Sequence, residues 1–600
     1  MSRSVLSLLL LVSALGAVPL RAAVPTMAVS EIRPGMQGVV YTVLQGTTIE
    51  PLQVDILGVT ENSIGPGHDM IVGKLVDPKT SLIETVHGMS GSPLYIDGKL
   101  AGALAYRLTS FEKDGHCGFT PIANMLEVDA LPAGEPNASS APSEAGASAA
   151  NATGSLTAFL GGNGLAALPG VDGSAKAAYL DVPLSVNGLA PEALRGLLKN
   201  FGLGGADVLP VAGGSDSEAR LAHVDLIPGA AVAAVLMSGD ISMAGTGTLT
   251  WREGKRILGF GHPMMGIGRS AWGMAPAEIV TTIPSYYMPY KLSNTGPVVG
   301  AIVQDRVSGI SGVIGATPAM APYHIERIHE GQALPALNGA FSTEQTMTPL
   351  LADSAVAGAV AQVNQAGRTL FLRATGSLQL QGLPALRLDG VYSGEDLETT
   401  QALLSLLEPL RLLYAQDWVH PVATGLDLKL ETAEQLRSWT VEDARLDARV
   451  YDPGAAVALT VLVRERYGKL EERHFAFNLP AGLKAGTGAV RLRVADGETL
   501  DHAALARAIP AFDDAAQLID FLNRHRRQDA LYVQLVTEAP GQVVADRELP
   551  ALPPSVLGVM GNDNRGEEAV ALHEQVWYET SAALPGVVSG EETLQLDIRP

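Results

Sequence analysis

At 600 residues, with 65 Gly, 37 Pro and only 17% charged residues, the chain is too long for a single core and reads as a turn-rich, multi-domain β protein, not a helical bundle. Its formal charge of −22 argues against nucleic acid and anionic membrane surfaces as partners, since both attract basic patches. The single cysteine, Cys117, excludes an internal disulfide and leaves the fold to packing alone.

The N-terminus, MSRSVLSLLLLVSALGAVPLRAAVPTM, places one Arg before an apolar run from Val5 to about Leu20, with Ala22 and Ala23 behind it. This is the pattern of a secretory signal peptide over residues 1–23. The run is short for a bilayer span and no other run of 18 apolar residues occurs. The expectation is an exported chain, periplasmic or extracellular, with no stable membrane span after signal cleavage.

Residues 24–132 alternate as short strands: GVVYTVLQGTTIEPLQVDILGV, DMIVGKLV, a hairpin around Asp97–Gly98, and CGFTPIANMLEV. Residues 133–155, AGEPNASSAPSEAGASAANATGS, are small and polar and suit a flexible linker. A second β-rich block spans 156–344. Residues 345–600 combine strand-like segments such as TLFLRATGSLQL, AAVALTVLVRERYG and ALYVQLVTEAPG with two amphipathic helices. One is TTQALLSLLEPLRLLYAQ, interrupted by Pro409. The other is FDDAAQLIDFLNRHRR, acidic in its first turn and basic in its last. This region is expected to hold a β-sandwich-like domain and a small α+β end. SPLYIDGKLAGALAY and GTLTWREGKRILGFG echo one another as strand, Gly-Lys turn, strand, which suits two similar barrels as well as any two unrelated hairpins.

The stretch HGMSGSP carries the chemistry. A nucleophilic Ser needs exposure on a tight turn, a base, and N–H donors for the oxyanion. Gly88 and Gly91 permit the backbone angles of such a turn around Ser90, and the Gly88 and Ser90 N–H groups can point together as an oxyanion hole. Pro93 opens the next strand without forfeiting a needed donor. A Gly/Ser turn without chemical role is the competing reading.

Residues 36–128 resemble the Ser-bearing half of the SpoIVB-type serine peptidases, the S55 peptidase family, through MIVGKLVDPKT, GMSGSPLYIDGKLAGAL and CGFTPIANML. Residues 245–314 resemble the other half through GTGTLTWREGKRILGFGHPM, APAEIVTTIPS and VQDRVSGISGVIG. The resemblance implies a chymotrypsin-like double β-barrel assembled from two separated halves, in permuted order, with a Ser/His/Asp triad. Carried over, the nucleophile falls on Ser90, the base on His262 of GFGHP and the acid on Asp77 of LVDPKT. No PDZ domain of the kind the sporulation peptidase carries is visible. Permutation is tolerable because a triad is defined by geometry and not by chain order.

Asp305 of IVQDRVSG, in the His block, is the alternative acid. His87 flanks Ser90. Cys117 is expected as a buried apolar residue beside the site, and Glu84 as either a solvated residue or the floor of a specificity pocket. There is no Cys pair or His-Glu-x-x-His run for zinc, and the glycine-rich stretches lack the Lys-Ser/Thr of a phosphate loop. The expectation is therefore a cofactor-independent exported serine endopeptidase acting on protein or peptide substrates, with residues 345–600 docking a substrate or an envelope partner. The alternative is a secreted binding or scaffold protein on an inactive peptidase fold.

Overall fold

A computed structural model describes residues 24–80, 85–108, 114–132, 178–200, 208–215, 220–285, 288–363, 371–394, 406–483, 490–507, 512, 514–544, 547–560 and 570–599. Strands make up 55% and helices 15%, so the molecule is mostly β. The expected signal peptide and the 133–155 linker lie outside the described residues. Among the described residues no helix is long and apolar enough to cross a membrane.

The first barrel comprises β1 (Gln37–Val43), β2 (Ile49–Gly65), β3 (His68–Leu75), β4 (Pro93–Ile96), β5 (Lys99–Arg107) and β6 (His116–Pro121). The strand order is β4-β1-β2-β3-β6-β5, and β4 pairs with β5 to close the ring. Closure removes the exposed edges that an open sheet would carry. Val40, Leu52, Val54, Ile56, Ile71, Leu94, Leu104 and Phe119 fill its interior. The β4–β5 turn runs through Asp97 and Gly98, both left-handed at φ 48° and 77°, which is the turn an Asp-Gly pair favours. One element departs from the sequence expectation. Residues 122–129, read as part of a strand, form helix α1 (Ile122–Asp129), because Ile122, Met125 and Val128 recur every three residues and bury one helical face.

A second barrel follows. Strands β7 (Ala178–Tyr179), β8 (Val182–Asn187), β9 (Val208–Ala212) and β10 (Gly214–Ser215) precede its walls. The walls are β11 (Ala231–Gly239), β12 (Ser242–Glu253), β13 (Arg256–Gly259), β14 (Gly268–Ile283), β16 (Gly300–Arg306) and β17 (Gly309–Ile314), with β15 (Tyr290–Thr295) paired to β14 outside the ring. The order β14-β16-β17-β13-β12-β11 closes through β11–β14. Phe260, Trp272, Met274, Ile302 and Ile310 lie in its core. The two echoing hairpins of the sequence are β4–β5 and β12–β13, one in each barrel.

The strand network does not stop near residue 344. β18 (Met320–His329) pairs with β19 (Gln332–Ser342) and, in parallel, with Ala423–Ala433, which pairs with Phe371–Leu380. Helix Thr348–Val363 is buried in the same apolar core. Beyond it, two sheets face each other. One includes Ser438–Leu446 and Ala456–Glu465, the other Val490–Asp496 and Ala530–Val544. Val461, Val463, Leu492 and Val533 share one core between them, the expected sandwich. The helix read in FDDAAQLIDFLNRHRR is Ala515–Leu522, capped by the Asp514 carboxylate, which accepts the Gln517 N–H at 2.9 Å.

The two barrels meet around residues 85–92. The Thr248 N–H donates to the Ser90 carbonyl at 2.8 Å, and the Thr250 hydroxyl donates to the Gly91 carbonyl at 2.7 Å. In the other direction, the Thr120 hydroxyl donates to the Gly261 carbonyl at 2.6 Å. Gly91, at φ 89°, has no room for a side chain, since a Cβ would lie 2.0 Å from the Thr248 oxygen and 2.4 Å from the Phe260 nitrogen. Gly91→Ala is therefore expected to destabilise the protein by about 3 kcal/mol or more. Urea unfolding followed by tryptophan fluorescence, with Ser90→Ala as the matched control, measures the difference.

Candidate active site

The Ser90 loop is two tight turns in succession: the Met89 N–H reaches the Val86 carbonyl and the Ser92 N–H reaches the Met89 carbonyl, both at 3.0 Å. Gly88 sits at φ 95°, a left-handed angle that only glycine holds without strain. The Gly91 N–H is spent on the Leu104 carbonyl at 2.7 Å, which ties the loop to β5. By contrast, the Gly88 and Ser90 N–H groups donate to no partner among the described residues. Ser90 is fully buried and its hydroxyl likewise has no hydrogen-bond partner.

His262 leaves β13 through Phe260 and Gly261, both left-handed at φ 66° and 72°. Gly261 fits there because even a Cβ would press on Ala103 and Ala105 of β5 at 3.3 Å. The imidazole is fully buried and stacks on Tyr179 with ring centroids 5.2 Å apart. Its Nδ1 lies 2.7 Å from the Pro263 carbonyl oxygen, the Leu180 backbone also acts on the ring, and Nε2 makes no hydrogen bond. A carbonyl can only accept, so in the neutral ring Nδ1 carries the proton and Nε2 presents a lone pair. Burial holds His262 far below its ordinary pKa, at about 4, so the neutral form prevails at pH 7.

The structure brings the Ser90 and His262 loops into contact through Gly91 and Phe260, without a hydrogen bond between the two side chains. Neither candidate acid bonds to the imidazole. Asp77 is half-buried after β3, where its carboxylate accepts the Lys79 N–H at 2.9 Å. Asp305 is fully buried and takes four amides: Met264 at 2.8 Å on one oxygen, and Met265, Gly266 and Ile267 at 2.9, 2.7 and 3.4 Å on the other. Burial raises its pKa while the four donors lower it. It thereby anchors the loop immediately after His262. Cys117 is buried in the first barrel, as expected, and Glu84 lies outside the described residues.

His87 faces the connection between β7 and β8. Its Nδ1 is 3.2 Å from the Asp181 carbonyl and 3.9 Å from the Asp181 carboxylate. Burial pushes His87 down and Asp181 up. The His87 backbone is held by β15, donating to the Pro289 carbonyl at 2.9 Å and accepting from the Lys291 N–H at 3.0 Å.

Sequence reasoning missed Lys291, a fully buried cation whose Nζ donates to the Thr42 hydroxyl at 2.8 Å and whose stem lies against Gly88. Burial lowers its pKa to about 7. A lone Lys in YKLSNT gives no signal of this. Thr246, Thr248 and Thr250 were missed as well, although three Thr at every second position of one strand share a face and carried a signal. All three are fully buried, and the last two grip the Ser90 loop.

His262 makes stability depend on pH. Above about pH 6.5 the ring is neutral both folded and unfolded. As pH falls from 6.5 toward 4, the unfolded chain takes up a proton that the folded one refuses, so stability falls, by up to about 3 kcal/mol. His262→Gln is expected to flatten this acid slope by up to one proton, read from urea midpoints at pH 7 and pH 4.5.

Among the described residues no cluster of three or more His, Cys, Asp or Glu is placed to hold a metal ion. Comparison with curated proteins and with solved structures returned no match. Residues 17–126 match the SpoIVB peptidase S55 family, a span that includes Asp77, Gly88 and Ser90 and ends before His262. The segment that forms the first barrel and carries Ser90 thus matches the SpoIVB peptidase S55 family.

Proposed function

We propose that the chain is a serine endopeptidase in which Ser90 is the nucleophile and His262 the base. The observation that carries this is the pair of buried polar atoms left without partners on two touching loops, the Ser90 hydroxyl and His262 Nε2. Other buried polar atoms of the molecule also lack partners, and what sets these two apart is that they are a hydroxyl and an imidazole nitrogen on touching loops, the pair a nucleophile and its base require. The Nδ1–H tautomer suits the role. Nε2 takes the hydroxyl proton as Oγ attacks the peptide carbonyl, and the imidazolium then returns that proton to the leaving amine. The unspent Gly88 and Ser90 N–H groups suit the oxyanion. Water then releases the acyl group by the same route in reverse.

The acid's role belongs to Asp77 by family resemblance alone. In the arrangement described above, the Pro263 carbonyl occupies the imidazole nitrogen that an acid would orient. Export rests on the N-terminal sequence pattern, and the C-terminal sandwich is proposed to dock a substrate or an envelope partner.

One observation favours the rival reading of an inactive binding protein on this fold. Ser90 and His262 are both fully buried, closed to substrate as they stand. A fluorophosphonate probe on the full chain separates the two. Labelling is expected at Ser90, abolished in Ser90→Ala and slowed by about 10³-fold or more in His262→Ala. Absence of labelling under conditions that open the site would favour the binding protein. Asp77→Asn decides the acid. A loss of about 10³-fold keeps Asp77 in the triad, whereas a loss under about tenfold leaves the Pro263 carbonyl as the orienting group.

A further inference from the structure

We infer that residues 178–181 of this chain are an internal, displaceable occupant of the peptide site, and that the site selects a leucine-sized apolar residue where Leu180 now sits. The argument begins with backbone. β7 pairs antiparallel with the end of β5 beyond β4, placing Tyr179 opposite Tyr106 and Ala178 opposite Arg107. The next N–H, that of Leu180, donates to the Ala105 carbonyl at 2.9 Å. This is strand addition, in which main-chain bonds hold an extended segment whatever its side chains and pockets supply the selection. The acceptor edge adjoins the nucleophile, because Leu104, one residue before Ala105, holds the Ser90 loop through the Gly91 N–H.

Side chains on such a strand alternate, and here each face has its own receptor. Leu180 is fully buried in the apolar cluster that includes Val86 and Met89 of the Ser90 loop with Leu104, Cys117 and Phe119. That cluster accepts an apolar side chain and would charge a steep desolvation cost for a carboxylate or ammonium. Tyr179 turns the other way and stacks between Tyr106 and His262, with centroids 5.2 Å from each. The chain then passes Asp181 against His87 and Pro183 against Gly88. Residues 179–183 therefore run over the His262 ring and over the Ser90 loop at His87 and Gly88.

The occupant does not lie as a substrate being cut. The Gly88 and Ser90 N–H groups remain without partners, so the Leu180 carbonyl is not in the proposed oxyanion hole. A two-residue strand anchored by one pocketed side chain, one aromatic stack, the Leu180 N–H bond and the Asp181–His87 contact is a small attachment beside the long strand pairs of either barrel. A longer peptide with the same apolar residue competes for the same edge once the strand leaves. That the displaced site cleaves what it binds rests on the peptidase reading, whereas the groove and its selectivity do not.

The experiment uses the full chain and two substitutions, Leu180→Asp and Leu180→Gly, with folding checked by circular dichroism. The first readout is the rate of Ser90 labelling by a fluorophosphonate, expected to rise by about tenfold or more in either variant as the open fraction grows. The second is chemistry-free: a fluorescent Ala-Tyr-Leu peptide added to Ser90→Ala combined with each variant, followed by anisotropy. Binding is expected there, weaker when Leu180 is intact, and lost when the peptide carries Asp in place of Leu. Binding without labelling in any variant supports the groove and overturns the peptidase reading. Folded variants that neither label faster nor bind the peptide overturn the inference. Unfolding of both variants also overturns it, because Leu180 would then be core and not occupant.

Discussion

A few hydrogen bonds across the seam between two barrels govern what this molecule can do. The Ser90 loop belongs to the first barrel, yet its carbonyls are satisfied by Thr248 and Thr250 of the second, and its Gly91 lies against the Phe260 backbone with no space for even a methyl group. The same strand that feeds Phe260 delivers His262. Fixing the loop and delivering the imidazole are thus one structural event. Neither barrel alone can satisfy the Ser90 loop, because buried carbonyls without donors cost as much as the bonds they lack.

The seam is buried, and burial sets its electrostatics. His262 stays neutral with its Nε2 lone pair exposed toward no donor, Lys291 is buried against Gly88 with a hydroxyl as its described partner, and Asp305 is held by four amides. Each would be costly alone in a low-dielectric interior. Asp305 shows how that cost is met: its donors all come from one loop, so the carboxylate and the loop stabilise each other, and the imidazole at the start of that loop inherits the rigidity. On the role proposed for His262, the imidazolium formed during acyl transfer needs compensation that the closed seam does not offer, so that proposal carries with it an opening of the site.

Chain order becomes physically meaningful here. The segment leading from the Ser-bearing barrel to the His-bearing one ends in β7, which lies on the first barrel, and continues two residues later as β8, which pairs with β12 of the second. A connection between two halves of a site has to cross it or go round it. This one crosses it, with Tyr179 on His262 and Leu180 in the apolar pocket. The chain order that brings the two barrels together therefore also lays a segment of the same chain across the proposed site.

Much of this was legible in the linear chain. Alternating apolar residues, Asp97–Gly98 and the Gly254–Lys255 turn specified the two hairpins locally, and HGMSGSP announced its turn because glycines tolerate angles that other residues resist. The paired barrels and the C-terminal sandwich followed from strand periodicity and resemblance. Residues 122–129 were misread because their apolar spacing is short enough to be taken for a strand beside one. What the sequence could not disclose was everything set by contacts between distant segments: Lys291 beside Gly88, Asp181 beside His87, the Pro263 carbonyl on the imidazole, and Tyr179 across it. Local spacing determines turns and strand faces, because backbone angles and the two-residue repeat act over a few residues. Which buried polar groups meet, and which segment covers them, is decided only when two barrels close on each other, because desolvation and shape are properties of the assembled seam.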